Sequence, residues 1–381
     1  MGTAPIAASR PSAVRRYPDH QAGAASAPGE LVNRISALPD HHIVLTYDPD
    51  GTLVDRVRAA LPHQSLEIVR ELSLDALPEA MPGTTILFGN YLSESALRAA
   101  SDLRWIQTVG AGVDVLLSVD LTSRDLLVTN TSGAFGVQIA EHALSLMFAL
   151  ARRLPKALES QAARRYAPEP RDDLFELTGK TLGIVGFGDV GQALARRARG
   201  IGMRVIALHR TPGGASPALA PLPDLALDPL ADSNRGDSSA LVYEVLGPDR
   251  LVDLLGESDV VVNAAPLTPA TVRLFGREQF ARMRPTASFI NMGRGETVDQ
   301  DALIDALRDG VIAGAGLDVT TPEPLPPESP LWALPNVILT AHYAGWSDTM
   351  LDRIYAIFAD NLQRFDQGEP LRNRVNLHAG Y

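Results

Sequence analysis

The segment that most restricts what this chain can fold into is Gly186-Phe187-Gly188-Asp189-Val190-Gly191. It follows the apolar run Leu182-Gly183-Ile184-Val185 and leads into Gln192 to Arg199, which continues as a helix. In a chain with 31 glycines a G-x-G-x-x-G pattern alone is weak, but strand, turn and helix in register are a far stronger signal. In that setting the first glycine makes the tight turn, the second lets backbone amides approach an anion, and the third packs helix on strand. The helix N-terminus adds orphan N–H groups and a partial positive charge. The segment therefore predicts the first turn of a doubly wound parallel sheet, with Gly186, Phe187, Gly188, Asp189, Val190 and Gly191 around a dinucleotide's phosphates.

The remaining pattern asks for two such sheets. A chain of 381 residues favours two cores over one. Short apolar runs at 42–47, 84–88, 103–108 and 127–130 read as strands with helical stretches between them, one of these around Leu66 to Leu72. A second series falls at 182–186, 204–208, 260–263, 288–291, 315–318 and 337–340. Ile139, Ala140, Ala143, Leu144, Met147, Phe148 and Ala151 mark a helix from Val137 to Leu154 that Pro155 should end, and another helix is expected from Asp348 to about Phe365. The fold class that follows is α/β, with two doubly wound parallel-sheet domains and a cleft between them. A substrate domain is expected over 41–150, completed by 343–381, and a Rossmann-type nucleotide domain over 151–342. An Ala/Pro-rich extension over 1–40 and a loop insertion at 212–237 show no period and are expected to be disordered.

Composition removes several classes of function. A net charge of −11 argues against a nucleic-acid backbone as partner. The absence of cysteine excludes disulfides, thiolate metal sites and cysteine nucleophiles, and it fits a reducing compartment. No apolar run approaches the roughly 20 residues that span a bilayer; the run from Ala143 to Leu150 is bounded by Glu141 and Arg152 and reads as a buried helix. Arg10, Arg15 and Arg16 lie in a tail without amphipathic pattern, so a soluble, cytoplasmic protein is expected.

The end of the strand after the glycine turn bears on the cofactor. An NAD site would place Asp or Glu there, about 19 residues past the last glycine, to hold the ribose hydroxyls. This chain has Leu208-His209-Arg210-Thr211 instead. No carboxylate stands there to repel a 2′-phosphate, and Arg210 can pair with one, so NADP(H) is favoured and NAD(H) is the alternative. His209 and Thr211 complete the expected contact.

Four further segments, in order, resemble the D-isomer-specific 2-hydroxyacid dehydrogenases, more particularly their glyoxylate/hydroxypyruvate reductase-like members. Ile290-Asn291-Met292-Gly293-Arg294-Gly295 resembles the family's arginine signature, and Gly316-Leu317-Asp318-Val319-Thr320-Thr321-Pro322-Glu323-Pro324 its glutamate segment. Thr340-Ala341-His342 is similar to the histidine segment, with Ala341 where a proline is usual, and Ala265-Pro266-Leu267-Thr268-Pro269-Ala270-Thr271 to a nucleotide-domain segment. The resemblance covers about residues 42 to 375 and is densest from Leu177 onward. It implies an enzyme that interconverts 2-keto acids and D-2-hydroxy acids, with Arg294, Glu323 and His342 as the catalytic set. It also places Ala265, Pro266, Thr271, Met292 and Gly293 at the cofactor, Asp318 at the nicotinamide carboxamide, and the backbone of Val109, Gly110 and Ala111 at the substrate carboxylate.

The chemistry wants these residue types. Hydride delivery to a carbonyl carbon builds negative charge on oxygen, where a fixed cation and a proton donor must meet. Arg294 can bind carbonyl and carboxylate together, His342 can protonate the alkoxide, and Glu323 can orient the imidazole and raise its pKa. No metal is required. A homodimer is expected, packed through the region of the Val137–Leu154 helix as the resemblance implies. Asn90, Tyr91, Leu92, Tyr343 and Trp346 are candidates to line the substrate pocket. Three other readings stay open: a formate-type dehydrogenase, whose amide would stand where Glu323 is; a phosphite-type dehydrogenase, which would keep all three catalytic residues; and a cofactor-sensing corepressor.

Overall fold

The structure is a computed structural model that describes residues 40–71, 73–211 and 242–380. The 1–40 extension, apart from its last residue, and the 212–237 insertion lie outside the described residues. Chain order in the first part is β1 (Asp40–Leu45), α1 (Leu53–Ala60), β2 (Ser65–Arg70), α2 (Leu77–Ala80), β3 (Ile86–Phe88), α3 (Glu94–Ala99), β4 (Trp105–Gln107) and β5 (Leu127–Thr129). Then come α4 (Gly136–Ala151), α5 (Leu154–Ala162), β6 (Thr181–Val185), α6 (Asp189–Gly200), β7 (Arg204–Leu208), β8 (Glu244–Leu246), α7 (Leu251–Glu257) and β9 (Val260–Asn263). The chain closes with α8 (Arg277–Arg282), β10 (Ser288–Asn291), α9 (Gln300–Arg308), β11 (Gly314–Leu317), β12 (Val337–Leu339) and α10 (Met350–Asp366).

Two compact units result, each around one parallel sheet. The first holds residues 40–134 and 348–380, with a five-stranded sheet in the order β2-β1-β3-β4-β5. Its strands β3, β4 and β5 are buried at every position, as expected of strands covered on both faces. On one side α10 lays Phe358 against Phe88 at a centroid distance of 4.5 Å and Phe365 against Trp105 at 5.2 Å. The buried polar groups there satisfy one another: Trp105 Nε1 donates to Thr129 Oγ1, which donates to Gln107 Oε1, which also accepts from Asn361 Nδ2.

The second unit holds residues 135–211 and 242–347, with a seven-stranded sheet in the order β12-β11-β10-β9-β6-β7-β8. The order reverses between β6 and β9, and the glycine turn follows β6. That is the switch point at which ligands of open α/β sheets sit beyond the strand ends.

Three expectations are corrected. The stretch read as helical at Leu66 to Leu72 is strand β2, paired with β1 from Asp40–Ser65 to Leu45–Arg70. Ile68 and Val69 stiffen the chain for a sheet, and this tertiary pairing outweighs Leu66 and Glu67 as helix formers. Pro155 does not simply stop a helix: Arg153 takes a left-handed φ of 50°, and Pro155 sits in the first turn of α5. The domain boundaries also move. Helix α4 belongs with the nucleotide unit, because Ala140, Ala143, Leu146 and Met147 share a core with Leu182, Ile184 and Leu194; the unit also extends past His342 to Ser347. Among the described residues no helix is long and apolar enough to cross a membrane.

Candidate active site

The glycine turn has the geometry that its sequence demands. Gly186 has φ +102°, and a Cβ there would lie 2.6 Å from the Ala264 carbonyl. At Gly191 a Cβ would meet the Gly186 carbonyl oxygen at 2.3 Å. These two are glycines for packing. Gly188 differs: a Cβ would meet nothing within 4 Å, so the turn is open on that side. Gly188 is also the N-cap of α6 and offers no side-chain acceptor to the first-turn N–H groups. An open cradle beside an uncapped helix end fits an anionic dinucleotide phosphate. Phe187 is 1% exposed and packs in the core, so only its backbone faces the turn; Asp189 and Val190 are partly buried. At the end of β7 His209 Nδ1 lies 3.2 Å from both the N–H and the carbonyl oxygen of Thr211, which folds the ring back onto its own turn, and Arg210 is exposed.

Across the switch point, β9 and β10 end in buried asparagines. Asn263 Nδ2 donates to Asn291 Oδ1 at 2.9 Å and to Thr297 Oγ1 at 2.7 Å, and Asn263 Oδ1 accepts from Ala265 N–H. Asn291 Oδ1 accepts from Gly293 N–H, while Asn291 Nδ2 and Thr297 Oγ1 both donate to the Arg294 carbonyl. Met292 and Ala265 are nearly buried, and Thr271 Oγ1 donates to the Pro266 carbonyl to close its loop. Arg294 is thus held at its carbonyl by two side chains, Asn291 and Thr297, which Asn263 holds in turn. Gly295 brings its segment against the next one: a Cβ there would lie 1.9 Å from the Thr320 carbonyl oxygen.

That next segment carries Glu323. Its Oε1 accepts from Thr320 N–H at 2.8 Å, and its Oε2 lies 2.8 Å from His342 Nδ1. The hydrogen bond to Glu323 is the largest influence on His342 and, with the carboxylate's charge, raises its pKa against burial and the Arg294 charge. For Glu323, burial favours the neutral acid, but the His342 and Thr320 hydrogen bonds and the charges of His342 and Arg294 outweigh it and hold the carboxyl below its ordinary range. With Nδ1 committed to Glu323, Nε2 is left to carry the exchangeable proton. Such a pair can give a proton to an oxygen beside a guanidinium.

Asp318 is the hub beneath His342. Its Oδ1 accepts from Thr340 Oγ1 at 2.6 Å and from Tyr343 N–H, its Oδ2 from Ala344 N–H, and its carbonyl from His342 N–H at 2.8 Å. The sequence reading gave Asp318 a cofactor contact and did not foresee this tethering of the turn.

In the first unit, the N–H groups of Val109 and Gly110 both donate to Asn90 Oδ1, at 2.8 and 3.0 Å. These two amides are engaged, and of the three expected residues only Ala111 has an N–H that makes no hydrogen bond among the described residues. Asn90 is therefore a brace for the turn, and Leu92 is buried at 6% in the core; Tyr91, Tyr343 and Trp346 are exposed. The strand-end asparagines and Asn90 were within reach of sequence reasoning, because an amide closing an apolar strand is a buried polar group that needs partners.

Residues 144–230 and 225–344 match the model of the D-isomer specific 2-hydroxyacid dehydrogenase, NAD binding domain. A glyoxylate reductase of Korarchaeum cryptofilum is 36% identical over 322 residues, 83% of this chain and 87% of that protein. Among solved structures, a D-isomer specific 2-hydroxyacid dehydrogenase family protein from Aeromonas salmonicida superposes with a TM-score of 0.73 at 31% identity, covering 89% of this chain and 99% of its own. An NADPH-dependent glyoxylate/hydroxypyruvate reductase from Sinorhizobium meliloti, in complex with NADP and sulfate, gives 0.70 at 26% identity over 90% of this chain and all of its own. With the switch-point turn, the arginine segment and the His342–Glu323 pair in one unit, the chain belongs to the D-isomer specific 2-hydroxyacid dehydrogenase family.

Proposed function

We propose that this enzyme reduces small 2-keto acids to D-2-hydroxy acids, with glyoxylate or hydroxypyruvate as the first substrates to test. The observation that carries the reading is the His342 Nδ1–Glu323 Oε2 contact of 2.8 Å on the turn that faces the Arg294 charge. The nicotinamide cofactor, when bound at the Gly186–Gly191 turn, supplies the hydride. Arg294 holds the substrate's carbonyl and carboxylate oxygens and stabilises charge as it develops. His342, protonated and oriented by Glu323, gives its Nε2 proton to the forming alkoxide and takes it back in the oxidation direction. The turn after β4 is assigned to anion binding through the Ala111 N–H, with the Val109 and Gly110 amides held by Asn90 to shape it. Asp318, Ala265, Pro266, Thr271, Met292 and Gly293 are assigned to the cofactor's remaining contacts.

NADP(H) is the preferred cofactor in this reading, supported by Arg210 in place of an acid at the end of β7 and by the NADPH-dependent Sinorhizobium meliloti neighbour. A homodimer is part of the proposal: Phe148, Leu154 and Leu158 are 41%, 47% and 64% exposed, an apolar stripe suited to a second copy. The test is cofactor absorbance followed with NADPH and separately NADH against a panel of 2-keto acids, with formate and phosphite in the reverse direction. Turnover of a keto acid to its D-product supports the reading. Oxidation of formate or phosphite alone replaces it, and cofactor binding without any turnover favours the sensing role.

A further inference from the structure

Helix α4 sends two polar side chains toward the stretch that carries His342: Gln138, whose Nε2 donates to the Gly345 carbonyl, and His142. His142, with 16% of its side chain exposed, places Nε2 3.0 Å from Thr340 Oγ1 and 3.8 Å from Asp318 Oδ1. The direction of this chain follows from hydrogen counting. Asp318 accepts from two backbone N–H groups as well as from Thr340, so the single Thr340 hydroxyl hydrogen goes to the carboxylate at 2.6 Å. Thr340 can then meet His142 only as an acceptor, which places a hydrogen on His142 Nε2. The order is His142 Nε2–H to Thr340 Oγ1–H to Asp318 Oδ1. His142 also stands against the ring of Tyr343, edge to face, with centroids 5.4 Å apart at 87°. It therefore braces the turn on both sides of His342.

The turn needs a brace. His342 has φ +54°, a left-handed conformation that a residue with a Cβ keeps only when surrounding contacts impose it. We propose that His142 is a positioning residue for His342: acting through Thr340 and Asp318, it holds the 340–344 turn in the form that aims the His342 imidazole at Glu323. The proposal rests on the reading of His342 as the proton donor. Nε2–H is a donor in the imidazolium and in this neutral tautomer alike, so the brace does not depend on the charge of His142. Burial lowers the pKa of His142, with the Asp318 charge opposing. The charged groups that face His342 are Glu323, Arg294 and Asp318, so loss of alignment should show in how His342 titrates.

The test uses the full chain carrying His142→Ala, His142→Asn, His142→Gln or Thr340→Val, with steady-state keto-acid reduction across pH. Glutamine can place an N–H near the Nε2 position, whereas asparagine can reach only the Nδ1 position. We expect Ala and Asn to lower kcat about tenfold with KM within about twofold, the size of one lost buried hydrogen bond. The high-pH limb of kcat should move to lower pH in both, and Gln should restore kcat and limb. Thr340→Val, which keeps the shape of the side chain, should shift the limb in the same direction and carries the test if the alanine variant does not fold. The His142→Ala/Thr340→Val double variant should be no slower than the worse single one. Wild-type kinetics in His142→Ala, a Gln variant as impaired as Ala, additive losses, or a uniform loss with an unmoved limb overturns the proposal. His342→Ala separates the two readings. If it stays active, the donor assignment fails; if it is dead while His142→Ala is fully active, only the brace fails.

Discussion

Replacing Glu323 with glutamine isolates what the carboxylate does for His342. The substitution keeps the shape of the side chain and leaves an acceptor near Nδ1, but it removes the charge 2.8 Å from the ring. The hydrogen bond to Glu323 is what raises the His342 pKa most; without the carboxylate, burial and the Arg294 charge, which both lower it, prevail. Reduction needs protonated His342, so wild-type reduction persists below the raised pKa and is lost as pH climbs through it. In Glu323→Gln that loss comes at lower pH, and the oxidation limb moves down with it. A hydrogen bond to a charged group contributes about 1.5–3 kcal/mol. His342 and Glu323 are 50% and 33% exposed, so screening by solvent puts this one near the lower bound, about tenfold in rate. The assay is kcat for keto-acid reduction by NADPH at closely spaced pH values. A tenfold deficit that grows through the alkaline limb is expected. A profile that superimposes on the wild type, or a uniform drop with the limb in place, refutes the reasoning.

Three other substitutions probe the rest of the site. Gly188→Ala enters open space and should leave the thermal midpoint within about 2 °C while weakening NADPH binding about tenfold, whereas Gly191→Ala meets the Gly186 carbonyl at 2.3 Å and should lower the midpoint itself; calorimetry with a cofactor titration separates the two. Arg210→Ala should cut the ratio of NADPH to NADH efficiency about tenfold, mainly through the NADPH KM. Asn90→Ala removes the acceptor of the Val109 and Gly110 amides and should raise the keto-acid KM about fivefold with kcat little changed, a split read directly from initial rates.

Much of this was legible in the sequence because parallel strands buried on both faces announce themselves as short apolar runs. Val260-Val261-Val262-Asn263 and Ser288-Phe289-Ile290-Asn291 are strands at the positions expected. Strand β2 was not legible, since Ser65-Leu66-Glu67-Ile68-Val69-Arg70 suits a helix turn as well as a strand until β1 lies beside it. The boundary near Phe135 was hidden for a similar reason: α4 is apolar enough to suit either unit, and only its shared core with β6 and α6 decides. In the site, Glu323 and His342 stood out because their segments resemble those of a known family, and their residue types then fit one reaction. Asn90 reads from sequence as a pocket residue rather than as the brace of a turn. Thr340 and His142 did not stand out, because a brace has no chemistry of its own to betray it. Its meaning comes from the atoms it touches, and those lie 198 positions away in the case of His142 and Thr340.

The most direct test of the central claim is to measure kcat/KM for the best keto acid in His342→Ala and Arg294→Ala, alongside the NADPH dissociation constant of each. Both variants should bind NADPH within a few-fold of wild type, and each should lose about a thousandfold in kcat/KM. If His342→Ala reduces the keto acid within about tenfold of wild type, the proton comes from elsewhere and the assignment is wrong.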